Sequence, residues 1–106
     1  MDEIISEEIK HLTAKILEAV KVSKIYLFGS YAYGIPNNDS DIDLCVLTDE
    51  NKRKIEIMTD IRRNIGFSMS HPLDIIVYKP KEFYERADSL TSMESQILKK
   101  GIVVYG

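Results

Sequence analysis

The chain has no tryptophan and a single cysteine, Cys45, so no disulfide can form within it. A lone thiol fits a reducing compartment, and a cytoplasmic location is expected. Proline and glycine are scarce, three and five in 106 residues, which excludes a fibrous or low-complexity chain. Positive charge is short as well. Fourteen Lys and Arg against 17 Asp and Glu leave a net charge of −3, not the overall basic character of a dedicated nucleic-acid binder. No apolar run approaches the roughly 20 residues that span a bilayer, so no membrane partner is expected. The opening MDEIISEEIK is acidic and amphipathic, unlike a secretory signal. There is no repeat and no linker. The length suits one domain, residues 1–106, around one core.

What is present is a clear alternation of periods. Ile5, Ile9, Leu12, Ile16 and Val20 make one apolar stripe and predict a helix from about Asp2 to Lys21, with acids in its first turn. KIYLF, Lys24 to Phe28, is short, β-branched and aromatic and stops at Gly29: a strand. SYAYG has room for one or two helical turns ending at Gly34, and IPNNDS is a dense turn cluster. DIDLCVLT, Asp41 to Thr48, reads as a second strand. Asp49 is placed to cap a helix over Glu50 to Asn64, with Ile55, Met58, Ile61 and Ile65 inward and most of its Lys and Arg outward. GFSMSHP breaks that helix, and LDIIVY, Leu73 to Tyr78, is a third strand whose apolarity suggests a central place. Pro80 opens a further helix. A Thr91-x-x-Glu94 capping box opens the last one, with Gly101 beyond it, and IVVY closes the chain as a short strand.

Three carboxylates interrupt this apolar pattern. Side chains alternate along a strand, so Asp41 and Asp43 share one face while Ile42 and Leu44 take the other. Like charges that close disfavour folding unless a cation offsets them, and oxygen-only ligands suit Mg²⁺ or Mn²⁺. By itself NNDSD reads equally well as a polar turn, since Asp is common there. LDIIVY repeats the device with Asp74. A right-handed crossover makes strands two and three parallel neighbours, which gathers Asp41, Asp43 and Asp74 at one edge of the sheet. Gly29 and Ser30 reach that edge only if strand one runs antiparallel to strand two. The expected fold is therefore an α/β domain of the two-layer α+β kind, a mixed β-sheet with helices packed on it. Gly29 lets backbone approach a phosphate, and Ser30 offers a hydroxyl and an N–H at a helix start. Three carboxylates can hold two divalent ions about 3.5–4 Å apart, an arrangement suited to in-line attack on a phosphoryl group. Phosphates on one side and metals on the other describe a nucleoside-triphosphate site.

GSYAYGIPNNDSDIDL followed by LDIIVY resembles the nucleotidyltransferases of the DNA polymerase beta superfamily, in particular their minimal members. The pattern is Gly-Ser, a short helical turn, Asp-x-Asp, and a third acid on a later strand, and it extends over nearly the whole chain. The resemblance implies the nucleotidyltransferase fold and transfer of a nucleoside monophosphate, AMP from ATP or another triphosphate, to a hydroxyl. It implies that Gly29 and Ser30 hold the triphosphate and that Asp41, Asp43 and Asp74 bind Mg²⁺ or Mn²⁺. Asp74 would also help deprotonate the acceptor. One departure stands out: many minimal members carry a basic residue where this chain has Tyr33. Small members are often paired, as antitoxins, with a helical HEPN-type toxin, and some add AMP to it. The resemblance therefore also implies a protein partner, and it leaves a rival reading: a nucleotide-binding regulatory module that acts by contact alone.

Other sequence features carry less. Phosphatases of the haloacid dehalogenase type and metal-dependent glycosyltransferases place Asp-x-Asp after a hydrophobic strand, whereas here it precedes one, LCVL. His71, before Pro72, reads as a surface group with a supporting role near Asp74 left open. Cys45 reads as a small core residue. The sequence leaves the base, the acceptor and homo-oligomerisation open.

Overall fold

Asp2 Oδ1 accepts the Ile4 N–H at 2.8 Å and caps α1 (Glu3–Ala19), whose stripe Ile5, Ile9, Leu12 and Ile16 is buried. This computed structural model describes residues 2–37, 39–67 and 69–106. Asn38 of the turn cluster and Ser68 of the helix break lie outside the described residues. After α1 come β1 (Lys24–Phe28), α2 (Ser30–Tyr33), β2 (Ile42–Leu47), α3 (Lys54–Ile65), β3 (Leu73–Tyr78), α4 (Pro80–Ala87), α5 (Met93–Lys100) and β4 (Ile102–Tyr105).

The strands form one sheet in the order β3-β2-β1-β4. β1 is antiparallel to both β2 and β4, and β2 is parallel to β3, so the sheet is mixed, as expected. Alternation along the strands divides the apolar residues between two faces. On one face Leu27, Leu44, Val46 and Ile75 pack with α1 and with Ile57, Ile61 and Ile65 of α3. On the other, Tyr26, Cys45, Leu47 and Tyr78 pack with Phe83 of α4 and Ile97 of α5. Phe83 is fully buried, with its ring centroid 5.6 Å from those of Tyr26 and Tyr78.

Three expectations need correction. α3 begins at Lys54 rather than Glu50, and no side chain caps it. The residues before it are occupied elsewhere: Thr48 Oγ1 donates to the Lys21 carbonyl, and Glu50 accepts the Lys21 N–H at 3.1 Å. Its buried stripe accordingly starts at Ile57, while Ile55 is 63% exposed. α5 is capped by Ser92, whose Oγ accepts the Ser95 N–H at 3.0 Å. Glu94 is not a capping-box partner but a buried acceptor for the Tyr78 hydroxyl at 2.7 Å. Finally, β3 is an outer strand, not a central one.

Truncating the ring that closes the second face tests this packing. Phe83→Ala should cost about 3–5 kcal/mol, the usual range for a buried aromatic. Chemical denaturation of parent and variant in the same buffer measures it.

Candidate active site

Gly29 ends β1 with φ 71° and ψ −150°, a region of backbone space open almost only to glycine. Phe28 and Asp43 are register partners across the β1–β2 pair, so the turn after β1 folds directly over the aspartate. A Cβ on Gly29 would collide with Asp43 Oδ2 and lie 3.0 Å from its Cγ. The Gly29 carbonyl accepts the N–H groups of Ala32 and Tyr33 at 3.0 Å each, which winds α2. No side chain caps that helix, and Ser30 at its start is half-buried. The turn beyond is held by its own side chains. Asn37 Oδ1 accepts the Asp39 N–H at 2.8 Å, and Ser40 Oγ accepts the Asn37 N–H at 2.9 Å. Asp41 follows, exposed, at the entry to β2.

Asp43 and Asp74 are partners in the parallel β2–β3 register, and both stand on the face away from α1 and α3. Their backbones are therefore one strand spacing apart, about 4.8 Å. Asp74 is exposed and Asp43 half-buried. Burial first, then the negative charges of Asp74 and Asp41, push the Asp43 carboxyl up from 3.8 to about 6. The sequence places Gly29, Asp41, Asp43 and Asp74 at one sheet edge, and the structure brings them together there. Tyr33 is 40% exposed and adds no positive charge.

Among the described residues no three His, Cys, Asp or Glu side chains close into a ready-made metal cage. Mg²⁺ rarely needs one, because it keeps several waters and takes one or two carboxylates together with substrate phosphates. Oxygen-only donors that crowd negative charge around Asp43 fit such an ion. Cys45, deeper on the same face, is fully buried. Burial, then the Glu94 charge, pushes its thiol up to about 12, which suits a core residue and not a nucleophile.

Sequence reading misses Glu8, since its partners lie more than 60 positions away. Its carboxylate accepts the Ser70 N–H at 2.7 Å and the His71 N–H at 3.1 Å, and Oε2 lies 2.6 Å from His71 Nδ1. Burial pushes the Glu8 carboxyl up, but the hydrogen bonds from His71 and Ser70 outweigh it, so the group sits below its ordinary range. The next residue, Pro72, gives its carbonyl to the Ile42 N–H at 2.8 Å. Glu8 thus clasps α1 to the segment that starts β3 and aligns it with β2. His71 is neither a free surface group nor a partner of Asp74.

Residues 7–106 match the family described as polymerase beta, nucleotidyltransferase. Over 99 residues the chain is 35% identical to a protein of Methanocaldococcus jannaschii that bears the provisional name of a protein adenylyltransferase, covering 91% of this chain and 86% of that one. A crystal structure of a toxin–antitoxin with AMP-PNP superposes with a TM-score of 0.52 at 22% identity, over 92% of this chain and 73% of that one. That is a likeness of fold.

Two substitutions probe the crowding. A raised carboxyl pKa means the folded state prefers the protonated form, so stability falls as pH rises from about 4 through about 6. Two units correspond to about 3 kcal/mol, which partial solvent exposure reduces to about 1–2 kcal/mol. In metal-free buffer Asp43→Asn should gain that amount at about pH 7.5 and nothing near pH 3.5, by urea unfolding at both. A loss at the higher pH would make Asp43 a structural residue. Gly29→Ala forces a Cβ into a glycine-only conformation and onto Asp43, and should lower stability by about 1–3 kcal/mol in the same assay.

Proposed function

We propose that this chain, which belongs to the polymerase beta nucleotidyltransferase family over residues 7–106, transfers AMP from ATP to a hydroxyl on a partner protein. The observation that carries this reading is the register pairing of Asp43 with Asp74 beneath the Gly29 turn. A module that only binds Mg-nucleotide has no need of a third carboxylate at Asp74, whereas phosphoryl transfer uses it. Asp41, Asp43 and Asp74 would hold Mg²⁺ or Mn²⁺, which neutralises charge on the triphosphate and makes the acceptor hydroxyl easier to deprotonate. The backbone at Gly29 and Ser30, with the Ser30 hydroxyl, receives the outer phosphates of the triphosphate. The acceptor oxygen attacks the α-phosphorus and forms a phosphodiester. The bond between the α-phosphorus and its bridging oxygen to the β-phosphate breaks, and pyrophosphate leaves. Asp74, exposed at the outer strand, accepts the hydroxyl proton.

ATP as donor agrees with AMP-PNP in the structural neighbour, and a protein acceptor agrees with the name of the archaeal relative. A helical HEPN-type toxin is the partner this reading favours, with the chain acting as its antitoxin. Tyr33 favours one rival. Without a cation at that position, the chain would bind nucleotide and restrain its partner by contact alone.

Asp74 separates the two. Asp74→Asn should leave Mg-nucleotide affinity within about tenfold, or roughly 1.4 kcal/mol. Label transfer from α-labelled ATP to a co-purified partner should fall at least about a hundredfold, the low end for losing general-base help. Parent and variant are incubated with Mg²⁺ and lysate of the source cell and read on a gel. A parent that binds nucleotide yet labels nothing supports the contact-only rival. Equal labelling by the variant removes Asp74 from the chemistry.

A further inference from the structure

Ser30 stands on α2, a helix of four residues with no side chain capping it. A single turn fixes about six dihedrals for its first hydrogen bond and is not stable by itself. Its pose is therefore set from outside, and Tyr31 is the residue that reaches out. The Tyr31 ring packs against the core shared by α1 and α3. Its hydroxyl donates to the Asn37 carbonyl at 3.4 Å, in the turn that leads to Asp41. Its ring also meets the His71 imidazole edge-on, with centroids 6.3 Å apart and planes at 86°, a favoured arrangement for two aromatic rings.

His71 is held in turn. Glu8 accepts its backbone N–H, and the hydrogen bonds that keep the Glu8 carboxyl below its ordinary range leave it an ionised, acceptor-only group. His71 Nδ1, 2.6 Å from Glu8 Oε2, accordingly carries the proton and donates it. The imidazole is thus fixed three residues before Asp74. Beside the ring pair lies an open cavity of about 370 Å³, lined also by Asp2, Ile4, Pro36 and Asn37. On that side the two rings carry the contact between α2 and the segment before β3.

We propose that Tyr31 and His71 are positioning residues for the nucleotide site, their ring contact setting the separation between the Ser30 end of α2 and the Asp74 strand. In the nucleotide-site reading above, on which this rests, one triphosphate with its cations bridges those two elements. A displacement of about 1 Å at such a site can cost up to about a hundredfold. Each ring acts through the element it fixes. Glu8 holds the imidazole, the imidazole holds Tyr31, and Tyr31 orients the turn that carries Ser30.

Affinity for Mg-AMP-PNP by isothermal titration calorimetry tests this without need of transfer, at a temperature where circular dichroism shows each variant folded. Tyr31→Leu removes the ring and keeps an apolar side chain against the core. His71→Asn removes the ring and keeps an N–H donor near the Nδ1 position for Glu8. Each should weaken binding by about tenfold or more. The double variant should be no more than about threefold weaker than the worse single one, because both remove the same contact. Tyr31→Phe keeps the ring and should stay within about twofold of the parent. His71→Asn decides by itself should Tyr31→Leu not fold. Variants that lose urea stability but keep the parent affinity overturn the inference, since a purely structural contact moves only the former. So do losses that multiply in full in the double variant. A parent that binds Mg-AMP-PNP but labels no acceptor defeats the proposed transfer alone and leaves the affinity test standing. A parent that binds no Mg-AMP-PNP overturns both.

Discussion

Asp43 and Asp74 stand a single strand spacing apart because β2 and β3 are paired over six consecutive residues, from Ile42 with Leu73 to Leu47 with Tyr78. At neutral pH the burial of Asp43 and its repulsion from Asp74 and Asp41 together cost about 1–2 kcal/mol. The rungs beyond them oppose that repulsion. Leu44 and Ile75, then Val46 and Val77, are buried against α1 and α3, and each contributes about 1.5–3 kcal/mol by leaving water. Hydrophobic burial wins, and the carboxylates are carried along at the end of a register they cannot alter. A one-residue slip would send Asp43 into the α1–α3 core and Leu44 out of it. The spacing of the charges is thus fixed by aliphatic side chains that never touch them.

The same logic explains the strand order. A crossover through α3 makes β2 and β3 parallel, which puts both strand starts at one edge. The turn after β1 can reach that edge only from an antiparallel neighbour, and β1 is one. Glu8 completes the arrangement from a distance. By taking both backbone N–H groups at Ser70 and His71, it satisfies donors that a loop would otherwise leave to solvent, and it ties α1 to the strand that bears Asp74.

Strands were the most legible part of the sequence. β1 and β3 fall on Lys24–Phe28 and Leu73–Tyr78 as period and turn residues indicate, because short β-branched runs bounded by Gly or Pro have few alternative readings. Gly29 and the three aspartates were legible as a group for a related reason: each breaks a local apolar pattern. Helix starts were not. Asp49 has the side chain of a cap, but Thr48 and Glu50 are committed to Lys21, some 27 and 29 positions away, and a pairing at that range leaves no local mark. Glu94 likewise has the spacing of a capping box, yet the Tyr78 hydroxyl claims its carboxylate. The outer place of β3 was hidden by its composition. Leu73, Ile75 and Val77 pack toward α1 and α3, while Ile76 and Tyr78 join the core under α4 and α5. Both faces are covered, so the strand is apolar throughout although one edge has no neighbour. Apolarity reports covered faces; it does not report paired edges.

That outer position also bears on how three carboxylates can be tolerated in one place. A charge at the middle of a fully paired, doubly covered sheet would carry the full desolvation penalty of burial. Here Asp43 is drawn partly inside, and its carboxyl is pushed up. Asp41 precedes β2 and Asp74 lies on the outer strand, and both keep their water. Loss of water is therefore concentrated on Asp43, at the point where the Gly29 turn closes over it. An arriving cation would gain most at that residue, because there it would replace water that the fold has already begun to exclude. In the proposed transfer, exposure of Asp74 meets a separate requirement. A bulky acceptor can approach a carboxylate at an open strand edge without parting the sheet, which a central β3 would not have allowed.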